Sequence, residues 1–513
     1  GPDERRPDFA PESWETWWGY HEASILRLRE RVDALRTRTP SEESAGPRIP
    51  EVIVGRRIVP ALLAELARNP GAERTGAALT ALARLGPRTL RGAETTVELL
   101  VGYLAHRDRA VAESACLALG IVGDAAAVPV LVSLLRDDAA AQERRGRGKV
   151  PEATRTNAAY ALGVALQALQ RPDVVRYAAL ELMAVLAVDE SSLDLRVAAV
   201  VALGECRTQG QAAESEVVDE LLRRLADVEE QEYLRAQAAT SLGALLQDEN
   251  DGLRREVLAL LLDVLAQERT TSVLLQQGVT LALGRLGGMG AGATDGAARA
   301  ALRALAEDGD TVARGFALLA LAEIGSRPAL ELGGESPLSA RGPAREVEGF
   351  LRAALLDSKA RMRPWAALAL GLHGHALARR GLALEEASRG ALARLAGRER
   401  SAETASALAL ATGLAGAHGA IETLGERSAK ERDPSYSSLA LGFLRHGPAL
   451  EHLRAETKAV DHSYLRLARV ATARALLGDA ELVPGLVAEL ARAECDRAKI
   501  ALCDTLGTVG DAR

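Results

Sequence analysis

Aromatic residues are scarce in this chain: they make up 3% of its 513 residues. Cysteine is also rare, and four cysteines cannot form a disulfide framework over this length. Nowhere does the sequence hold a run of about 18 uncharged apolar residues, so we expect no membrane-spanning helix. The net charge of −7 argues against a dedicated nucleic-acid binder, whose surface would be strongly basic. The composition therefore leaves the large class of globular and repetitive proteins.

The chain has in abundance a short repeated signature of Ala, Leu and then Gly or Ala, at the end of Ala/Leu-rich stretches. Its copies lie about 38 residues apart on average, which is the period of a two-helix repeat. We call the third position of this signature the notch. The notches are Ala83, Gly120, Gly163, Gly204, Gly243, Gly284, Ala322, Gly371, Gly413, Gly442, Gly478 and Gly507.

The notch glycines point to close packing between helices. Glycine inside a helix costs about 1 kcal/mol relative to alanine, so its recurrence implies helix axes that approach too closely for a larger side chain. Apolar residues at i, i+3, i+4 and i+7 occur in two segments of each unit, which predicts a helical hairpin. The sequence therefore predicts an all-α fold: a right-handed α-solenoid of about twelve hairpins, each stacked on its neighbours.

This pattern resembles the HEAT-repeat family, including the shorter bacterial repeats of the phycobilisome-lyase type. The copies most similar to that consensus are 194–204 and 482–490 leading into 501–507. The resemblance covers residues 51–513 and implies that the second helix of each hairpin lines a concave surface. A repeat fold does not by itself name a function.

We predict three segments: a Trp-rich N-terminal helix over residues 1–36, a polar linker over 37–50 and the solenoid over 51–513. Trp14, Trp18 and His21 lie on one seam of the N-terminal helix. We expect this helix to cap the first hairpin, with partner docking or dimerisation as the alternative. At the other end, Leu502 and Leu506 lie on a helix whose outer face would meet water. We attribute that to truncation of a longer array or to contact with another molecule.

An arginine recurs eight residues before several notches, and these arginines are candidate partner-binding residues. They are Arg155, Arg196, Arg235, Arg314 and Arg363, to which we add Trp14, Trp17 and Trp18. The arginines could form a row that binds a partner on the concave face. The alternative is that they pair internally with aspartates and hold adjacent repeats together.

Catalytic and metal-binding constellations are not evident in the sequence. The deoxyhypusine hydroxylases, a HEAT family, bind iron through repeated His-Glu pairs, whereas His21-Glu22 is the only such pair here. His373 and His375 lack further ligands at zinc-site spacing, and so does the group His446, His452 and His462. We therefore expect no catalytic residue, no metal and no cofactor.

Taken together, these features predict a non-catalytic scaffold or adaptor that binds a protein or peptide partner along the concave face. The alternative is a HEAT-type enzyme or nucleic-acid-binding protein, similar to the alkylpurine glycosylases or the chromophore lyases. Homo-oligomerisation through the termini is a further expectation. The preference for Arg over Lys indicates a bacterial source. The start Gly1-Pro2 without Met suggests a trimmed leader, which favours an exported or periplasmic protein over a cytoplasmic one.

Overall fold

The computed structural model describes residues 13–26, 49, 51–146, 148–169, 171–188, 190–206, 215–247, 252–268, 273–290, 292–326, 341–357, 361–430, 436–459 and 464–511. The predicted linker over 37–50 lies almost entirely outside these residues, as does His462. Of the predicted N-terminal helix, residues 14–26 are described as helical.

Helices account for nearly all of the described chain. The first fifteen are α1 (Trp14–Leu26), α2 (Glu51–Ile53), α3 (Val59–Ala67), α4 (Ala72–Arg84), α5 (Thr96–Tyr103), α6 (Arg109–Val122), α7 (Ala127–Arg136), α8 (Ala139–Arg145), α9 (Glu152–Ala168), α10 (Pro172–Leu186), α11 (Leu193–Leu203), α12 (Ser215–Ala226), α13 (Glu232–Leu246), α14 (Gly252–Glu268) and α15 (Val273–Leu286). The remainder are α16 (Ala293–Asp308), α17 (Thr311–Ser326), α18 (Arg341–Asp357), α19 (Arg363–Arg379), α20 (Glu386–Arg398), α21 (Ala402–Leu414), α22 (Ile421–Lys430), α23 (Tyr436–Phe443), α24 (Leu450–Ala459), α25 (Tyr464–Leu476), α26 (Leu482–Arg492) and α27 (Asp496–Val509). A π-helical turn, Val54–Ile58, joins α2 to α3.

The predicted all-α solenoid is confirmed. Each predicted hairpin has a first and a second helix among the described residues, and one isolated β-bridge, Thr89 to Thr95, is the only β pairing found there. The second helices are α4, α6, α9, α11, α13, α15, α17, α19, α21, α23, α25 and α27. They are rich in Ala and Leu and form most of the apolar core. The right-handed sense of the solenoid stays a prediction.

The notch glycines are contact points between successive second helices, as predicted. A Cβ placed on Gly163 would lie 2.9 Å from the Cα of Ala202, and one on Gly413 would lie 2.6 Å from the Cα of Ala440. In both cases the facing alanine stands two residues before the notch of its own helix. Gly478 is the exception, because it follows α25 with a φ of +82° and ends that helix instead.

The described contacts divide the chain into two compact units. Unit 1 comprises residues 1–46 and 287–455, and unit 2 comprises residues 47–286 and 456–513. Each unit therefore combines two stretches that are far apart in sequence. The division of the chain into the segments 1–36, 37–50 and 51–513 stays a prediction.

Unit 2 joins the last hairpin of the chain to the first one. A Cβ on Gly507 in α27 would lie 2.7 Å from the Cα of Ala81 in α4. Ala81 stands two residues before the notch Ala83, so this contact has the same register as those between consecutive repeats. Leu502 and Leu506 are buried, and the expectation that the outer face of the last helix meets water is wrong.

Opposite charges flank this α4–α27 contact. Arg74 pairs with Asp496 at 2.9 Å, and Arg84 donates to the hydroxyl of Thr508 at 3.1 Å. Glu65, which is 1% exposed, lies 3.6 Å from the Nζ of Lys499. The contact is therefore a built interface of helix packing and ion pairs, within one compact unit.

Candidate functional site: the inner face of the second helices

Each second helix has one side that faces neither its first helix nor its neighbours. The notch contacts the next second helix, and the residue two before it contacts the preceding one. In three repeats the arginine eight residues before the notch reaches the first helix of its hairpin, as shown below. A helix turns about 100° per residue, so the positions three, six and ten residues before the notch lie on the side opposite the arginine position. We call this side the inner face.

The five predicted arginines point away from the inner face. Nε of Arg155 donates to the carbonyl of Leu135 at 2.8 Å, that of Arg235 to Leu225 at 3.1 Å, and that of Arg314 to Ala306 at 3.0 Å. These carbonyls lie in the last turns of α7, α12 and α16, where unpaired acceptors and the negative end of the helix dipole favour a cation. The arginine thus links the two helices of its hairpin.

The other two arginines reach the following hairpin. Arg196 forms an ion pair with Glu230, and Arg363 lies 3.2 Å from Glu399. The acceptors described above for these five side chains are carbonyls and glutamates, whereas we expected aspartates. Asp310 instead caps α17 by accepting from the backbone N–H of Val312. A partner-binding role for the arginines stays a prediction, but their described contacts are internal.

The tryptophans lie in unit 1, and two of them are fully buried. Trp14 and Trp18 are 0% exposed, and the ring of Trp14 lies 5.2 Å from that of Tyr436 in α23. Trp17 is half-buried and stacks on His21. We expected α1 to cover the first hairpin; its described contacts are with α19 and α23 instead. The apolar seam of α1 therefore packs on the inner face of unit 1.

The inner face of unit 2 exposes large apolar side chains. Three residues before the notch, Leu117 is 38% exposed and Tyr160 is 36% exposed. Ten residues before the notch, Tyr233 and Leu274 are 44% and 42% exposed. Burial raises the pKa of Tyr160, and the ionisable groups of Tyr233 and Asp194 raise it further. Tyr160, Asp194 and Tyr233 lie on three successive second helices, α9, α11 and α13.

The position three residues before the notch is buried in unit 1. Three residues before the notch stand Leu319, Leu368, Leu410 and Leu439, each at most 6% exposed. Six residues before the notch stand Phe316, Trp365 and Tyr436, where unit 2 has Ser114, Asn157 and Gln237. The inner face of unit 1 is thus apolar and covered, whereas that of unit 2 is mixed and open. A comparison of these positions between repeats would have revealed this difference in sequence.

The structure also shows the surroundings of three cysteines and of His373. Cys116, Cys206 and Cys503 are buried, and burial raises the pKa of the Cys116 and Cys503 thiols to about 12. His373 is buried in α19, and desolvation lowers its pKa. Within the described ranges, no three His, Cys, Asp or Glu side chains are grouped as a metal site would need. Nor does any helix in those ranges have the length and apolarity to cross a membrane.

Comparisons with known proteins bear on the family. Residues 59–148 match a family model of HEAT repeats. No curated protein matches the chain. Among solved structures, human deoxyhypusine hydroxylase matches with 19% identity over 69% of this chain and 99% of its own, at a TM-score of 0.24. Importin beta matches with 13% identity over 89% of this chain and 66% of its own, at a TM-score of 0.35.

An engineered protein from a structural genomics programme also matches, with 15% identity over 80% of this chain and 98% of its own, at a TM-score of 0.29. TM-scores this low support no argument about function. The likeness to HEAT repeats is shown over residues 59–148, and the same notch contact recurs beyond them, at Gly163, Gly413 and Gly507. The chain is therefore similar to HEAT-repeat proteins.

Proposed function

We propose that this protein is a non-catalytic scaffold that binds a protein or peptide partner on the inner face of unit 2. The observation that carries the proposal is the exposure of Leu117, Tyr160 and Tyr233 on that face. Exposed aromatic side chains are enriched at the centres of protein interfaces, where they bury area at little cost in side-chain entropy. The corresponding leucines of unit 1 are already covered, so they are not free to bind.

The chemistry of this face favours a particular kind of segment. Asp194 is exposed on α11, between the helices that carry Tyr160 and Tyr233. A carboxylate on the helix between two exposed tyrosines attracts a cation through its charge, and the tyrosine rings attract it through their negative faces. The favoured partner therefore presents an arginine or lysine flanked by apolar side chains.

Selection from a peptide library displayed on phage tests this function. The full chain is compared with a Tyr160→Ala/Tyr233→Ala variant, and Tyr177→Ala serves as the matched control. Tyr177 is 39% exposed but lies on α10, a first helix. We expect enrichment of basic-apolar peptides on the full chain and on the control, and loss of enrichment on the double variant.

Equal enrichment on all three proteins would contradict the proposed surface. Binding of an enriched peptide should also weaken with Asp194→Asn. The nucleic-acid alternative makes a different prediction, because its affinity would fall steeply with added salt. A DNA or RNA oligonucleotide that binds with such a salt slope, and is lost with Tyr160→Ala/Tyr233→Ala, would replace the peptide partner.

A further inference from the structure

The inner face of unit 1 is occupied by part of the chain itself. α1 contacts α19 and, through Trp14, α23, and α21 packs between those two helices. Every residue of α21 from Thr404 to Leu414 is buried. A helix buried on all sides needs a covering element on each of them. On the inner side, the described element at this place is α1.

The sequence of this face suits an apolar helix. Phe316 and Trp365 pack edge to face with their ring centroids 5.9 Å apart, and Tyr436 packs on Trp14. Leu368, one turn after Trp365 on α19, and Leu410 on α21 are 0% exposed. These aromatic and aliphatic side chains lie on the inner face of α17, α19, α21 and α23, and we call them the groove. α1 lies against α19 in this groove, and its Trp14 packs on Tyr436 of α23.

α1 fits this groove imperfectly. The indole Nε1 groups of both Trp14 and Trp18 are buried without a hydrogen-bond acceptor. A buried donor without an acceptor loses its hydration and gains nothing in return. A helix with phenylalanine or leucine at these two positions would fill the same groove without that cost. The groove therefore does not require tryptophan, and a foreign helix can bind it better than α1 does.

The tether compensates for this imperfect fit. Residues 27–50 connect α1 to α2, a distance of 24 residues in sequence. A covalent connection makes the binding of α1 intramolecular, and the effective concentration of such a ligand can reach the millimolar range. A weak occupant held in this way is retained at rest and is displaced by a partner of higher intrinsic affinity.

We infer that the inner face of unit 1 is a second binding groove, for an amphipathic helix with large apolar side chains at positions i and i+4. α1 is its intramolecular occupant and keeps the groove closed until such a partner displaces it. This groove is distinct from the face proposed above, since its residues belong to unit 1 and are covered. Its partner differs as well, because the groove is lined by aromatic and aliphatic side chains.

A fluorescent peptide tests the inference in solution. The probe is a synthetic peptide of residues 11–26 with Phe in place of Trp14 and Trp18. It is titrated against the full chain, against full-chain Trp14→Ala/Trp18→Ala, and against Trp17→Ala as the matched control. We expect saturable binding to the double variant and binding at least about ten-fold weaker to the full chain and the control, because α1 competes there.

Adding Tyr436→Ala to the double variant should weaken the peptide about ten-fold or more, since Tyr436 contacts the first tryptophan position. Equal affinity of the double variant and the full chain would overturn the inference. So would the absence of saturable binding to a double variant that melts as cooperatively as the full chain.

A second design covers the case in which the double variant does not fold. A protease site is placed within residues 37–50 of the full chain, and α1 is cut from its tether after folding. The labelled peptide should then replace the α1 fragment, and the fragment should appear in the low-mass fraction on gel filtration. Retention of the fragment at a large excess of peptide would show that α1 is a permanent part of the fold, which overturns the inference.

Discussion

A larger side chain in place of Gly507 should open the contact between the last and the first hairpin. In Gly507→Val, the new Cβ would lie 2.7 Å from the Cα of Ala81 and 3.0 Å from its Cβ. Backbone atoms cannot move aside as a flexible side chain can, so α27 must shift away from α4. Overpacking of this kind costs about 1–3 kcal/mol. That cost increases the population of the open form about 5- to 150-fold.

The position of this contact decides how the strain is released. α27 is joined to α4 by helix packing and ion pairs and not by a loop of the chain, so residues 456–513 can detach while the rest of unit 2 stays folded. Gly163→Val is the matched control, because its Cβ would lie 2.9 Å from the Cα of Ala202 between consecutive repeats. Both variants add the same side chain to a helix, so the cost in helix propensity cancels.

Cysteine labelling reads out the opening. Cys503 lies in α27 and is 1% exposed, whereas Cys495 is exposed and serves as an internal reference. Burial raises the pKa of Cys503 to about 12, so its thiol should react at neutral pH only after opening. We expect Gly507→Val to label Cys503 faster, with Cys116 unchanged. Equal labelling rates in both variants would refute the idea of a separable last hairpin.

Three further predictions concern single side chains. Glu65→Gln leaves Arg74 and Lys499 beside a neutral amide and should lower the free energy of unfolding by about 3 kcal/mol in a urea titration. Glu51 has a side chain that is 65% exposed, so Glu51→Gln should cost less than about 1 kcal/mol in the same titration. Arg235→Met removes the link to the end of α12 and should cost about 1–3 kcal/mol; an unchanged thermal melt would contradict that role. Desolvation lowers the pKa of His373 below 6.5, so the unfolded chain binds the proton more tightly than the folded chain does. The free energy of unfolding should therefore fall as the pH drops below about 6.5, by up to about 1.4 kcal/mol per pH unit. His373→Gln should remove this slope in urea titrations at pH 7.5 and 5.5, and an unchanged slope would assign it to another group.

The helical hairpin was predictable because its information is local. The Ala-Leu-Gly signature, the apolar periodicity and the arginine eight residues before the notch all lie within one repeat. Packing of the notch on a neighbouring alanine requires only that some neighbour of the same kind be present. Cys116 and Cys503 lie among the apolar positions of second helices, and both are buried.

Glycine three residues after the notch has different roles in different repeats. Gly123 closes α6 with a φ of +66°, as expected of a C-cap. Gly374, three residues after its notch, instead lies inside α19, where a Cβ would meet Leu384 at 2.8 Å. The same spacing thus serves a turn in one repeat and close packing in another, because α19 continues for a further turn.

The sequence by itself determined that this protein is built from stacked helical hairpins with closely packed second helices. Tertiary structure alone decided which elements meet across the chain: α27 on α4, and α1 on the inner face of unit 1. The physical reason is that the repeats share one packing chemistry. The notch at Gly507 fits any alanine two residues before another notch, and the tryptophans of α1 fit any apolar inner face, so only the arrangement in space selects Ala81 and Tyr436.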